Sequence, residues 1–341
     1  MTMEQTLDTL LQDDPNLPSL PYQAYENVPI HVVWTRTPVQ LATGFDTTLA
    51  TRIDMNPLRN TPFVSKQSEE GAAPYQFSTY EANTSFRSTA SSRAATSYEH
   101  LDLKGTVSVG GSFLGASGQA AFCRDVFKNR DANKTSVHST QRVGIIKLAE
   151  QPEFTTHARR LLYDPHNRDS FRAAYGDYFV AGLCLGADNA TFLSSSSGKN
   201  VQSEMKDIKV QAKFFGFTKT VYDKRTEEHS ENRSFDITYS GLDTLRAYQE
   251  TTRATDERAY EGVKARAAQS VADGQGLMER VRGVMDEMHL VDRAKLTSNQ
   301  LTEVCRSGLV VELLLMPYGG LKEYAEITAR FVPSVPSVRY M

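Results

Sequence analysis

Apolar and polar positions alternate with period two through the middle of this chain. Leu101, Leu103, Gly105, Val107, Val109, Gly111 and Phe113 alternate with Asp102, Lys104, Thr106, Ser108, Gly110 and Ser112. That pattern predicts a long strand. A second strand is expected over Ser136–Leu148, after a charged segment from Arg124 to Lys134. Ile208, Val210, Ala212 and Phe214 alternate with Lys209, Gln211, Lys213 and Phe215, and the return strand is placed at Ser234–Tyr239. The stretch Phe171–Gly186 reads as a helix end, a glycine turn and a strand that starts at Gly176 and runs through Phe192 into the Ser194–Ser197 run. Gly182 and Gly186 interrupt that strand, and paired glycines inside a strand mark a bend or bulge.

Helical spacing predicts helices at Thr155–Leu162 and Asp169–Tyr175, separated by Pro165, and across 243–306. Leu277, Val281, Val284, Met285 and Met288 form one apolar stripe. Thr297 and Gln300 suit a capping box, and Gly308 suits the stop of that helix. The apolar run Leu309–Met316 predicts a buried strand, as does Ile30–Thr35. Residues 66–100 are Ser/Thr-rich, with Tyr75, Phe77, Tyr80 and Phe86 as scattered anchors.

Composition narrows the function classes. The 341 residues are 40% hydrophobic and carry a net charge of -3, so no basic excess exists to neutralise a nucleic-acid backbone. No secretory signal and no apolar run long enough for a membrane-spanning helix is visible. The reading is a soluble chain, cytoplasmic or released by a non-classical route and then membrane-associated. The cysteines Cys123, Cys184 and Cys305 are widely spaced, which fits free thiols rather than a disulfide framework or a zinc motif.

Catalytic motifs are mostly absent. Ser197-Gly-Lys-Asn200 lacks the glycine at 193 and the hydroxyl at 200 that a phosphate loop needs. Gly115-Ala-Ser-Gly118 is one residue short of a nucleophile elbow. His157 and His166, flanked by Asp164 and Asp169, are the nearest approach to a catalytic or metal cluster. No catalytic residue, cofactor or metal is assigned. Asp177 after Gly176 reads either as a hinge signature or as a turn aspartate capping a backbone N–H.

The run from Tyr175 resembles the membrane-attack-complex/perforin (MACPF) superfamily. That signature is an aromatic residue, Gly-Thr-His-aromatic, then a strand ending in a glycine pair. The matching residues are Tyr175, Gly176, Asp177, Tyr178 and Phe179, then Gly186-Ala187, with Asp177-Tyr178 in place of Thr-His and Ala187 in place of the second glycine. The chain more closely resembles a divergent branch found in filamentous fungi, through Asn129–Val137, Tyr175–Gly182 and Ser307–Leu313 in that order.

The resemblance implies an α+β fold: a sharply bent, four-stranded antiparallel sheet of MACPF/cholesterol-dependent-cytolysin type, flanked by helical clusters. It implies an N-terminal arm of irregular and strand segments over 1–98, a MACPF-like core over 99–325 and an irregular tail over 326–341. Tyr175, Gly176, Asp177, Tyr178, Gly182 and Gly186 would form the signature and hinge. Two segments would convert into membrane β-hairpins, the first between Val109 and Ser139 and the second between Ser197 and Phe235. Candidate inserting residues are Gly110, Gly111, Phe113, Leu114 and Phe122 in the first, and Val210, Phe214, Phe215 and Phe217 in the second. The implied function is pore formation by a toxin-like ring of copies on a lipid membrane, with a separate lipid-binding protein as a possible targeting partner. Two alternatives remain: a non-lytic binding or assembly protein on the same fold, and an unrelated α+β enzyme with its site in 155–200.

Overall fold

In a computed structural model, the structure describes residues 20–34, 36–50, 55–64, 73–91, 100, 106–107, 118–196, 201, 203–208, 235–293 and 295–329. Among the described residues, eleven strands join one sheet. They are β1 (Ile30–Val33), β2 (Gly44–Phe45), β3 (Leu58–Arg59), β4 (Tyr75–Ser91), β5 (Thr106–Val107), β6 (Asn133–Leu148), β7 (Tyr178–Ser195), β8 (Ile237–Asp243), β9 (Tyr248–Ala254), β10 (Lys295–Leu296) and β11 (Val310–Pro317). The expected four-stranded antiparallel sheet is present as the central part of this larger one. Strands β4, β6 and β7 lie side by side and antiparallel along nearly their whole lengths.

The fourth position is shared. β11 pairs with Tyr178–Leu185 of β7, and β8 pairs with Asn189–Ser194 of the same strand. Two short strands thus lie end to end beside one long strand. The 66 residues between them include β9, which pairs with β8, β10, which pairs with β4, and three helices, Glu257–Gln275, Leu277–Glu287 and Ser298–Ser307.

Where the fourth strand breaks, its neighbours break register. β4 shifts between Thr79 and Asn83, β6 between Arg142 and Gly144, and β11 between Val310 and Glu312. All three irregularities fall at the level of Leu185 and Gly186 of β7. Bulges bend a strand and increase its twist, so a row of them across the sheet bends the whole sheet along one line. We call the side holding Tyr178 and β11 the proximal half, and the side holding Ser195 and β8 the distal half.

The proximal half packs an apolar core. Ile146, Val180, Leu183, Leu185, Leu313 and Leu315 meet Leu277, Val281, Met285, Leu301 and Val304 from the helices. The stripe read from the sequence is therefore the buried face of Leu277–Glu287. The Thr297–Gln300 capping box forms, and Gly308 closes that helix with φ 91°. An aromatic cluster of Phe63, Phe154, Phe171, Phe179 and Tyr318 covers the outer end of this half.

Two sequence expectations need correction. Tyr248–Ala254 is a strand, not part of a continuous helical region, because it pairs with the β8 edge across all seven residues. Tyr75–Ser91 is a 17-residue strand rather than scattered anchors. Its Ser, Thr and aromatic residues suit a strand, but a polar distal half hides the alternation. Of the strand expected over 101–113, only Thr106–Val107 is described, and it pairs in parallel with β1. Of the 208–215 run, only Ile208 is described, and it ends a helical stretch at 203–208.

Candidate functional site: the bend and the distal end of the sheet

Gly186 marks the bend because nothing larger fits. A Cβ there would lie 1.9 Å from the Gln141 carbonyl oxygen, a backbone atom of the neighbouring strand. At Gly182 the nearest atom would be Ile145 Cδ1 at 2.7 Å, the movable end of a side chain. Gly182 lies beside a second irregularity, between Leu314 and Leu315.

The rest of the signature anchors the start of β7. Gly176 has φ 80°, and a Cβ there would meet Phe45 O at 2.1 Å. Tyr175 offers its carbonyl to the Tyr318 hydroxyl at 3.0 Å, and the buried Tyr178 donates its hydroxyl to Val28 O at 3.0 Å. Asp177 accepts from the Thr47 N–H at 2.9 Å and from the Thr47 hydroxyl at 2.5 Å, with Arg172 at 3.3 Å. Asp177 therefore does what the turn reading expects: it caps a backbone N–H, that of the Thr47–Ala50 helix. His166 and Asp164 also have local roles, since Asp164 accepts from the His166 N–H at 3.0 Å. His157 sits edge-on to Tyr175 at 6.5 Å.

A cluster of charged groups fills the bend. Arg142, on the bulge of β6, reaches Asp188 of β7 with N–O distances of 2.6 and 3.2 Å. It also grips Glu312 Oε1 of β11 at 3.0 and 2.8 Å. The other Glu312 oxygen meets His31 Nδ1 of β1 at 3.1 Å, and that nitrogen lies 3.8 Å from Cys184 Sγ. Burial opposes ionisation of Glu312, but the hydrogen bond from His31 and the Arg142 charge outweigh it and hold the carboxyl at about 2. Hydrogen bonds to Cys184 and Glu312 raise His31 to about 10 against the cost of burial. Arg36 ties the two ends of the broken fourth strand, donating to the carbonyls of Thr244, Leu245 and Arg306.

Glu312 and Cys184 lie within stretches singled out from the sequence, Ser307–Leu313 and Phe171–Gly186, but neither is read there as a site residue, and His31, Arg36, Arg142 and Asp188 belong to no motif. His31 and Glu312 are 281 residues apart and His31 and Cys184 are 153 apart, so spacing carries no signal. The one available clue is Glu312, a lone charge inside the apolar run Leu309–Met316.

The chain matches no protein-family model and no curated protein. Solved structures similar to it include a protein from Bacteroides thetaiotaomicron, at 12% identity over 70% of this chain and 58% of that one, with a TM-score of 0.27. They also include GNIP1Aa from Chromobacterium piscinae, at 12% identity over 78% of this chain and 58% of that one, with a TM-score of 0.30. The first carries a MAC/Perforin domain. The chain spans 58% of the length of each of these two structures, and no residue role is transferred from them.

The distal half is built differently from the proximal one. Lys134, Thr135, Ser136, His138, Ser139, Gln141, Asn189, Thr191, Ser194, Ser195, Ser240 and Asp243 are all buried there. The Glu257–Gln275 helix covers one face through small residues, Ala267, Ala268, Ser270, Val271 and Gly274. Ser270 meets the Thr191 hydroxyl at 2.8 Å, and a Cβ at Gly274 would lie 2.7 Å from both Asn189 Oδ1 and Ser139 Oγ. The Gly118–Lys128 helix covers the other face with Phe122, Cys123 and Val126 against Ala190, Phe192 and Leu242.

Of the candidate inserting residues, Phe122 is thus buried in that helix. Gly110, Gly111, Phe113, Leu114, Val210, Phe214, Phe215 and Phe217 lie outside the described residues. The connection from β4 to β6, residues 92–132, leaves and re-enters the distal end of the sheet. So does the connection from β7 to β8, residues 196–236. Among the described residues no helix is long and apolar enough to cross a membrane.

Proposed function

We propose that this chain is a pore-forming protein of MACPF-like architecture. Copies assemble side by side on a membrane, and the two distal connections convert into β-hairpins that extend β4/β6 and β7/β8. The topology carries this reading: both connections join antiparallel neighbours at the same end of one sheet. To become longer hairpins, the first must release the β5–β1 pairing and the Gly118–Lys128 helix, and the second the helical stretch at 203–208.

The edges support assembly. Among the described residues β4 is paired on its outer side only at Tyr75 and Gln76, by β10, and β9 has no outer partner. A strand edge presents unpaired N–H and C=O groups. In lipid each unpaired group costs several kcal/mol, so hairpins become stable only in a closed ring. Assembly therefore precedes insertion. Gly182 and Gly186 act in this scheme as the hinge along which the sheet straightens.

The test is crosslinking. Lys264 of the Glu257–Gln275 helix pairs with Glu204 at 3.5 Å. Cysteines at both positions, joined by a short thiol crosslinker, would pin the start of the second connection. Cys123, Cys184 and Cys305 are buried, and the wild-type chain treated with the same crosslinker is the control. We expect the crosslinked protein to form rings on liposomes without dye release, and the uncrosslinked protein to do both. Release that persists after crosslinking rejects insertion of this segment. Rings without release from the unmodified protein on any lipid would favour a non-lytic assembly role.

A further inference from the structure

We propose that His31 Nδ1, Cys184 Sγ and Glu312 Oε2 form a binding site for a divalent transition ion of the zinc class, stapling β1, β11 and β7 beside the bend. This site stands independently of the pore reading.

The sheet register brings the three residues together. His31 pairs with Leu314, and Glu312 pairs with Cys184. Positions 312 and 314 share a face of β11, because alternate residues of a strand point the same way. His31, Glu312 and Cys184 therefore project from one face of three adjacent strands. Among the described residues they are the group of His, Cys and carboxylate side chains whose ligand atoms all lie within 4.8 Å of one another.

The distances suit a tetrahedron. Zinc bonds of about 2.0–2.3 Å to nitrogen, oxygen and thiolate give tetrahedral edges of about 3.3–3.7 Å. Two of the three observed edges are near this range, 3.1 Å from Nδ1 to Oε2 and 3.8 Å from Nδ1 to Sγ, and the third, from Oε2 to Sγ, lies within 4.8 Å. The ligand set, one imidazole, one thiolate and one carboxylate, selects a borderline metal over calcium or magnesium.

Surrounding groups hold the ligands in place. Arg142 fixes Glu312 through Oε1, which leaves Oε2 to face the other two ligands. Outer contacts that orient a ligating carboxylate are a regular part of metal sites. Asp188 balances the Arg142 charge. Cys184 is buried and the His31 side chain is 44% exposed, so the ion enters past the imidazole and water completes the tetrahedron there.

Cobalt is the probe, because thiolate-bound Co2+ gives a charge-transfer band and tetrahedral Co2+ gives intense visible bands. The full chain, stripped with a chelator, is titrated with Co2+ and then with Zn2+. We expect one equivalent to produce both bands and to be displaced by Zn2+. Cys184→Ser should abolish the charge-transfer band. His31→Gln, at the exposed ligand, should weaken binding by more than ~10-fold, the lower bound for disturbing even an outer partner. The proposal is overturned if the wild-type chain shows no thiolate band in excess Co2+, or if the band survives in Cys184→Ser. Should Cys184→Ser fail to fold, unchanged affinity in His31→Gln overturns it alone.

Discussion

The two halves of one strand differ in how much polar surface they bury. Tyr178–Leu185 of β7 presents Phe179, Val180, Leu183 and Leu185 to apolar partners. Asp188–Ser195 presents Asp188, Asn189, Thr191, Ser194 and Ser195, buried and hydrogen-bonded. The proximal half is held by apolar burial, which is lost when its helices leave. The distal half has apolar clusters too, Val137, Leu193, Ile237 and Tyr239 with the Glu257–Gln275 helix and Ala190, Phe192 and Leu242 with the Gly118–Lys128 helix, but it interleaves them with buried polar pairs, each worth only ~1 kcal/mol net. The Gly186 level, where register breaks in β4, β6 and β11, is the boundary between the two.

The sharpest break in this comparison is at the boundary itself. Gly186→Ala forces a methyl into the Gln141 carbonyl oxygen at 1.9 Å, and we expect a loss of ~4 kcal/mol or more in denaturant unfolding. Gly182→Ala meets only the Ile145 side-chain tip and should cost ~1–3 kcal/mol. Equal costs would show that Gly186 is not the special position.

Arg142→Met removes the cation shared by Asp188 and Glu312. Leaving two buried carboxylates without it should cost ~3–5 kcal/mol at neutral pH, read by chemical denaturation. A loss below 1 kcal/mol would mean that the bend does not depend on this ion cluster.

The halves themselves can be compared directly. Leu183→Ala in the proximal core should cost ~2–5 kcal/mol. Replacing both partners of the distal pair, Thr191→Val with Ser270→Ala, should be neutral within ~1 kcal/mol, because no buried polar atom of the pair remains. A distal cost as large as the proximal one would remove the distinction.

Acid should loosen the distal half first. Burial, with Lys134, His138 and Arg87 nearby, lowers His100 from 6.5 to about 4. The unfolded chain takes up this proton at the higher value, so the stabilising effect of neutral His100 is complete above 6.5. It declines as pH falls towards about 4. His100 bridges the Ser91 and Ser136 hydroxyls across the distal ends of β4 and β6. Amide exchange in Ser88–Ser91 should therefore accelerate over that window, while Leu183–Leu185 stays protected. Equal acceleration in both segments would count against a local effect.

The smallest effect is expected at Gly262. A Cβ there meets nothing within 4 Å, inside the Glu257–Gln275 helix. Gly262→Ala should raise stability by ~0.5–1 kcal/mol without altering the docked face. A loss of stability would mean that this glycine has a packing role.

The sequence alone determined the elements with local causes. The capping box at Thr297 and Gln300, the stop at Gly308, the stripe Leu277–Val281–Met285 and the helices around Pro165 depend on neighbours within a few residues. Glycines 182 and 186 likewise announced an irregular strand. Tertiary structure alone decided what depends on distant partners. β9 exists because β8 offers an edge. β4 exists because β6 pairs with it across a polar surface that blurs any period-two signal. The sharing of one strand position by β8 and β11 has no trace in either segment. The meeting of His31, Arg142, Cys184, Asp188 and Glu312 is likewise a product of sheet register. Register is set by the sum of many cross-strand contacts, which no local window of residues contains.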